Sequence, residues 1–140
     1  MSNTEIPLQH TAIIESALGQ VMLISKGEML HRIHVLDERA RCIEPVGILV
    51  DAARQLQEYF DGARTTFDIV LHPEGTHFQR NVWDQLMKIP FGKTMSYQDL
   101  AKRLGDIKVI RAAATANGRN PLPIIIPCHR VIGKDGSLTG

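Results

Sequence analysis

A chain of 140 residues, 44% apolar and 22% charged, has the makeup of a folded protein of one domain or two small ones. No apolar run approaches the roughly 20 residues of a membrane helix, and Met1-Ser2-Asn3-Thr4-Glu5 lacks the basic-then-apolar pattern of a secretory signal. Cys42 and Cys128 are the only cysteines and no CxxC occurs, which disfavours a structural disulfide or four-cysteine zinc site and fits a reducing cytoplasm. The net charge of +1 hides an asymmetry. Residues 1–73 carry six Lys/Arg against ten Asp/Glu, a net of −4, and residues 74–140 carry ten against five, a net of +5. A basic half suits a polyanionic partner if a DNA-binding motif lies in it, and is otherwise chance.

Thr11–Ser16, Gln20–Ser25 and Met29–Leu36 read as three strands, separated by Gly19 and by the turn signal Lys26-Gly27-Glu28, and predict an antiparallel meander. His31 and His34, without a cysteine or carboxylate pattern beside them, read as solvent-facing strand residues rather than metal ligands. The charged stretch 37–44 reads as a loop, in which Cys42 is incidental. A helix is expected from Pro45, with Ile48, Leu49, Ala52, Leu56, Tyr59 and Phe60 on one face and Asp61-Gly62 as its stop. Thr65–Leu71 alternates as a further strand would.

His72-Pro73-Glu74-Gly75 reads as a linker, giving domains 1–73 and 74–140. Beyond it, Thr76 is an N-cap for a helix through Lys88, with Phe78, Val82, Trp83, Leu86 and Met87 as its apolar face and Trp83 as a core anchor. Ser96 caps a helix from Tyr97 to Leu104, with Asp99 completing a capping-box-like start. Gly105–Lys108 turns the chain into a second helix, Val109–Gly118, making a helix-turn-helix candidate. That second helix offers one long side chain, Arg111, on a surface of alanines. A major-groove helix presents several long polar side chains, so two readings are open. The helix enters a minor groove with a single probe, or its alanines simply pack on its neighbours. Gly118 can close it in a left-handed cap, and Asn120 can bond local backbone ahead of Pro121. Lys134-Asp135-Gly136-Ser137 reads as a hairpin turn that would form a wing.

Leu122–Ile126 is an apolar run expected to be buried, and Pro127-Cys128-His129-Arg130-Val131 follows it directly. A thiol is a poor nucleophile until deprotonated, and an imidazole can take its proton directly or through water. Adjacent side chains in an extended segment face opposite ways, so the pair needs a water or a bend, which Pro127 can supply. The competing reading is a buried structural cysteine beside a surface histidine.

Met95-Ser96-Tyr97-Gln98-Asp99-Leu100-Ala101, Arg111-Ala112, Asn117-Gly118-Arg119-Asn120-Pro121 and Pro127-Cys128-His129-Arg130-Val131-Ile132-Gly133, in this order and spacing, resemble the O6-alkylguanine-DNA alkyltransferases, or methylated-DNA–protein-cysteine methyltransferases, particularly bacterial members. The resemblance is specific over residues 76–140 and loose over the first half. It implies an α+β fold: a small N-terminal antiparallel sheet with a helix, then a helical, winged-helix-like DNA-binding domain that carries the active-site cysteine. It also implies single-turnover repair, with no metal or cofactor, of double-stranded DNA bound by a monomer from the minor groove. Cys128 would take the alkyl group from guanine O6, with O4 of alkylated thymine as a further donor. His129 would help ionise it through a water. Tyr97 would contact the DNA backbone and stabilise the leaving guanine. Arg111 would fill the space of the flipped nucleotide, with Ala112, Thr115 and Ser96 also on the DNA. Asn120, Pro127, Arg130 and Val131 would build the turn and pocket.

Family members continue beyond the position of Gly140 with a Tyr-Gly-Gly-like segment and a final helix, whose glutamate hydrogen-bonds the histidine. Asp106 and Asp135 do not match that glutamate. Two other outcomes follow from the same residues: an inactive fragment, or a lesion-binding protein that does not repair. The second kind has tryptophan where this chain has Cys128. A winged-helix regulator with a redox-sensing thiol would instead need major-groove contacts and a dimer.

Overall fold

The structure, a computed structural model, describes residues 8–133, and the chain divides into two compact units between Pro73 and Glu74. In the first, β1 (Gln9–Ser16), β2 (Gly19–Lys26) and β3 (Met29–Val35) form an antiparallel meander with β2 in the centre. Its turns are tight because Gly19 and Gly27 take φ of 99° and 59°, values that cost glycine little. The register sets Ala12, Leu23 and Ile33 side by side in one row. All three are buried, as are Leu49, Ala52 and Leu56 of α1 (Ile48–Phe60), which packs across all three strands. Burying side chains of this size contributes on the order of 1.5–3 kcal/mol each.

Two buried glutamines tie the loops of this unit to its core. The side-chain amide of Gln20 donates to the Ala40 carbonyl and accepts from its N–H, both at 2.8 Å. Gln55 does the same to Asp68, at 3.0 and 2.8 Å. This second clamp explains why residues 65–71, expected as a strand, are not one. Asp68 commits its backbone groups to a side chain, and the segment meets the sheet in one isolated bridge, between Leu71 and Leu30. The first helix likewise starts later than expected. Gly47, at φ 57°, precedes Ile48, and Pro45 lies outside the helix. His34 is exposed as read from sequence, whereas His31 is half-buried and stacks on His72 with ring centroids 5.7 Å apart.

In the second unit, α2 (His77–Leu86) begins with a reciprocal capping box between Thr76 and Gln79. It ends two residues before Lys88, and Met87, expected on its apolar face, is 46% exposed. Trp83 is the anchor: it is buried, and its indole N–H donates to the Ala116 carbonyl at 2.9 Å. Ser96 caps α3 (Tyr97–Arg103) by accepting from the Asp99 N–H, without the reciprocal bond of a full capping box. Gly105 (φ 102°) and a short 3-10 turn (Ile107–Val109) lead into α4 (Ile110–Gly118). Two short parallel strands that the pattern did not reveal, β4 (Met95–Ser96) and β5 (Val131–Ile132), pair in register. The fold is therefore α+β, with a three-stranded sheet and four helices among the described residues. The expected wing at 134–137 lies outside the described residues.

Gly75, expected in the linker, belongs to the packing of the second unit. A Cβ there would sit 2.5 Å from the Trp83 ring, which its buried hydrogen bond prevents from moving aside. Gly75→Ala is therefore expected to destabilise this unit by about 1–3 kcal/mol, the cost typical of overpacking. The midpoint of urea unfolding, followed by the fluorescence of the single tryptophan, checks this.

Candidate active site

The exit from α4 is built by one asparagine. The Asn120 side chain accepts from the Leu122 N–H at 2.9 Å and donates to the Ile126 carbonyl at 2.6 Å. The Ile126 N–H in turn donates to the Leu122 carbonyl at 2.9 Å, closing residues 122–126 into a turn. The Ile126 carbonyl also accepts from the Cys128 N–H at 2.8 Å, so one oxygen holds both Asn120 and the cysteine backbone. Leu122, Ile125 and Ile126 are buried as expected. Ile124, between them, stands at φ 77°. A β-branched residue rarely occupies the left-handed region, and doing so costs on the order of 1–3 kcal/mol. The expected left-handed residue, Gly118, instead continues the helix, and Arg119 closes it at φ −100°. The reversal is displaced from the glycine to Ile124 because Asn120, not a glycine cap, holds the turn.

Pro127, at φ −81° and ψ 67°, bends the chain into a single 3-10 turn, Cys128–Arg130. An extended segment would have sent Cys128 and His129 to opposite faces. The turn instead lets both line one cleft of about 350 Å³, together with Asn117, Gly118, Asn120, Pro123 and Val131. Cys128 is half-buried and free of disulfide, and His129 is exposed. Partial burial, reinforced by the neighbouring Arg130 charge, pushes the His129 imidazole below its ordinary pKa, so it is neutral at pH 7 and can accept a proton. Arg130 points away from this chemistry: it donates to the Ile89 carbonyl at 2.7 Å and lies over the Phe91 ring.

Tyr97 is buried at the start of α3. Parallel pairing of β4 with β5 ties its neighbour Ser96 to Ile132, four residues after Cys128. On α4, Arg111, Ala112 and Thr115 are exposed, whereas Ala113 and Ala116 are buried. The two readings of the alanine surface thus apply to different alanines. Arg111 has no ion-pair partner among the described residues. Seven residues separate it from Gly118, within about 20° of two full helical turns and roughly 10 Å along the axis. The arginine and the wall of the cleft therefore share one side of α4. Asn117, to which the sequence pattern assigned no task, is 1% exposed and donates from Nδ2 to Tyr97 Oη and to the Cys128 carbonyl, both at 3.3 Å. Its place in Asn117-Gly118-Arg119-Asn120-Pro121 was the only signal available.

A cysteine and a histidine line one cleft at the end of a helix that exposes one arginine, the groups a thiol-dependent transfer site on a helix-turn-helix unit would need. Comparison with known proteins gives the family. Residues 77–140 match the model for the 6-O-methylguanine DNA methyltransferase DNA binding domain, and residues 10–73 that for the ribonuclease-like domain of the same enzymes. The chain is 45% identical to the methylated-DNA–protein-cysteine methyltransferase of Methanosarcina barkeri over 134 residues, 91% of this chain and 85% of the relative. It is 53% identical to the constitutive enzyme of Bacillus subtilis over 92 residues, 66% of this chain and 56% of that one. Among solved structures, Mycobacterium tuberculosis O6-methylguanine methyltransferase superposes with a TM-score of 0.85 at 39% identity, covering 95% of this chain and 84% of the other. The OGT of that organism in complex with DNA gives 0.84 at 41% identity, covering 94% and 83%. The chain belongs to the methylated-DNA–protein-cysteine methyltransferase family.

The direction of the His129 shift has a measurable consequence. Its NMR titration midpoint is expected below the ordinary imidazole value of about 6.5. Because the native state disfavours the imidazolium, the stability linked to this group is complete above the unfolded-state pKa. It is lost as pH falls through the lower folded-state value. A midpoint at or above the ordinary value would contradict the burial and the Arg130 proximity described here.

Proposed function

We propose that this chain repairs DNA by direct reversal, moving a methyl or larger alkyl group from guanine O6 to the sulfur of Cys128 and being consumed in doing so. The observation that carries the reading is the cleft in which Cys128 and His129 meet, on the same helix side as Arg111. Neutral His129 takes the thiol proton, through an intervening water. The thiolate attacks the alkyl carbon in line, a C–S bond forms, the C–O6 bond breaks, and guanine leaves with the electron pair and gains a proton. Tyr97 donates a hydrogen bond that stabilises the leaving base. The thioether is not cleaved by water or thiols, so each molecule acts once.

O6 of guanine lies inside the duplex, so the nucleotide must be rotated out at a cost of a few kcal/mol. Arg111 offsets part of that cost by occupying the vacated stack. Ala112 and Thr115, short and exposed beside it, let α4 approach the floor of a minor groove. Ser96 stands at the cap of α3 on the DNA side. Asn120, Pro127, Val131 and Arg130 hold the turn and the cleft wall. A cleft of about 350 Å³ suits a single extruded base. The protein acts as a monomer, because one cysteine and one probe serve one lesion.

Incubation with a duplex containing O6-methylguanine is expected to add the mass of one methyl group to the intact protein. Cys128→Ser is expected to abolish that gain while lesion DNA is still bound. Transfer retained in this variant would reject the assignment, and binding without transfer by the unsubstituted chain would make it a lesion-recognition protein. Arg111→Ala is expected to slow repair of duplex DNA about tenfold or more, equivalent to about 1.4 kcal/mol or more of lost flipping support, while reaction with the free base O6-benzylguanine is nearly unchanged. Equal losses on both substrates would reject the probe role.

A further inference from the structure

We infer that Asn117 is a positioning residue that commits the Tyr97 hydroxyl to donating its proton toward the bound base. The inference rests on the group-transfer reading above and goes beyond it, since it concerns a buried side chain with no reacting atom of its own. Asn117 lies in the last turn of α4, and its amide bridges Tyr97 of α3 and the carbonyl of Cys128.

The orientation of that amide follows from its partners. The Cys128 carbonyl can only accept, so the atom 3.3 Å from it must be the nitrogen, Nδ2. The same nitrogen faces Tyr97 Oη at 3.3 Å. An amide nitrogen carries two hydrogens, one for each partner, and no lone pair to offer. Tyr97 Oη is therefore an acceptor in this contact, and its single proton is left over. No acceptor for that proton is present among the described residues.

The oxygen of the same amide strengthens the case. Asn117 Oδ1 is buried and has no hydrogen-bond partner among the described residues. Leaving a buried acceptor unsatisfied costs about 1–3 kcal/mol, and such groups call for an explanation. Turning the amide over would give Oδ1 the tyrosine proton but would leave the N–H groups of Nδ2 in the partnerless position, so it would not relieve the cost. It would also press Oδ1 against the Cys128 carbonyl and consume the proton. The arrangement gives up one acceptor and keeps the tyrosine proton available. It also couples three elements that must agree when DNA binds: the helix bearing Arg111, the tyrosine, and the backbone of the nucleophile. Trp83 donates to the carbonyl of the adjacent residue, Ala116, and the Asn117 side chain is itself buried.

The experiment compares single-turnover transfer from O6-methylguanine duplex by four proteins: unsubstituted, Asn117→Asp, Tyr97→Phe and the double variant. The carboxylate introduced by Asn117→Asp has the shape of the amide but takes the tyrosine proton instead of sparing it. Each single variant is expected to lose about tenfold to a hundredfold in transfer rate, with the lesion-DNA affinity of Asn117→Asp, whose side chain is buried, changed less than about twofold. The double variant is expected to be no slower than the slower single one, because both remove the same donated proton. Multiplying losses, or an Asn117→Asp protein that transfers at the unsubstituted rate, would overturn the inference. Emission of the single tryptophan, bonded to the neighbour of Asn117, reports whether α4 is intact. If it shifts in Asn117→Asp, the same cycle is read with Asn117→Ser, with the same two outcomes. Failure of the unsubstituted protein to transfer would instead reject the group-transfer reading itself.

Discussion

The site depends on one backbone oxygen. The Ile126 carbonyl accepts from the Asn120 side chain and from the Cys128 N–H, and so joins the end of α4 to the cysteine. Without it, the five residues 122–126 would be an ordinary apolar segment free to seek the core in several ways. With it, the reversal after α4 is short and closed, and Ile124 is forced into a backbone region a branched side chain normally avoids. Local strain of this kind persists only where surrounding bonds over-determine it. Here three hydrogen bonds and two buried neighbours, Ile125 and Ile126, do so.

The chemistry of the cleft comes from contrasts between adjacent residues. Cys128, His129 and Arg130 are consecutive, yet the 3-10 turn sends the first two to the cleft and the third to the Ile89 carbonyl and Phe91. Arg130 thereby supplies a fixed positive charge close enough to help keep His129 neutral without entering the site. A neutral imidazole beside a thiol is the state required of a proton acceptor. On the other wall, Asn117 is buried and donates to both Tyr97 and the Cys128 carbonyl. The backbone of Cys128, the proposed nucleophile, and the residue proposed to stabilise the leaving base are thus bonded to one side chain.

The two units use similar devices for different ends. In the first, Gln20 and Gln55 substitute side-chain amides for strand partners, so that loops are pinned without lengthening the sheet. In the second, asparagines do comparable work, but the groups they pin belong to the cleft. Trp83 anchors this unit through its close approach to Gly75 and its hydrogen bond to the Ala116 carbonyl in the last turn of α4.

Much of what depends on residues near in sequence was legible in the sequence, though not the start of α1 or the residue that reverses the chain after α4. The three strands, the Thr76 and Ser96 caps, the helix-turn-helix and the Asn120 turn are set by alternation, helical periodicity and short side-chain-to-backbone bonds. The Cys128-His129 pair and the motif around it pointed to the family for the same reason, since its spacing is carried in one stretch of chain. What only the tertiary structure decided are meetings between residues far apart. Asp68 is withdrawn from the sheet by Gln55, Gly75 is fixed by Trp83, β4 pairs with β5, and Asn117 reaches both Tyr97 and Cys128. No local pattern encodes such contacts. Each depends on which groups, distant along the chain, the packed core brings together.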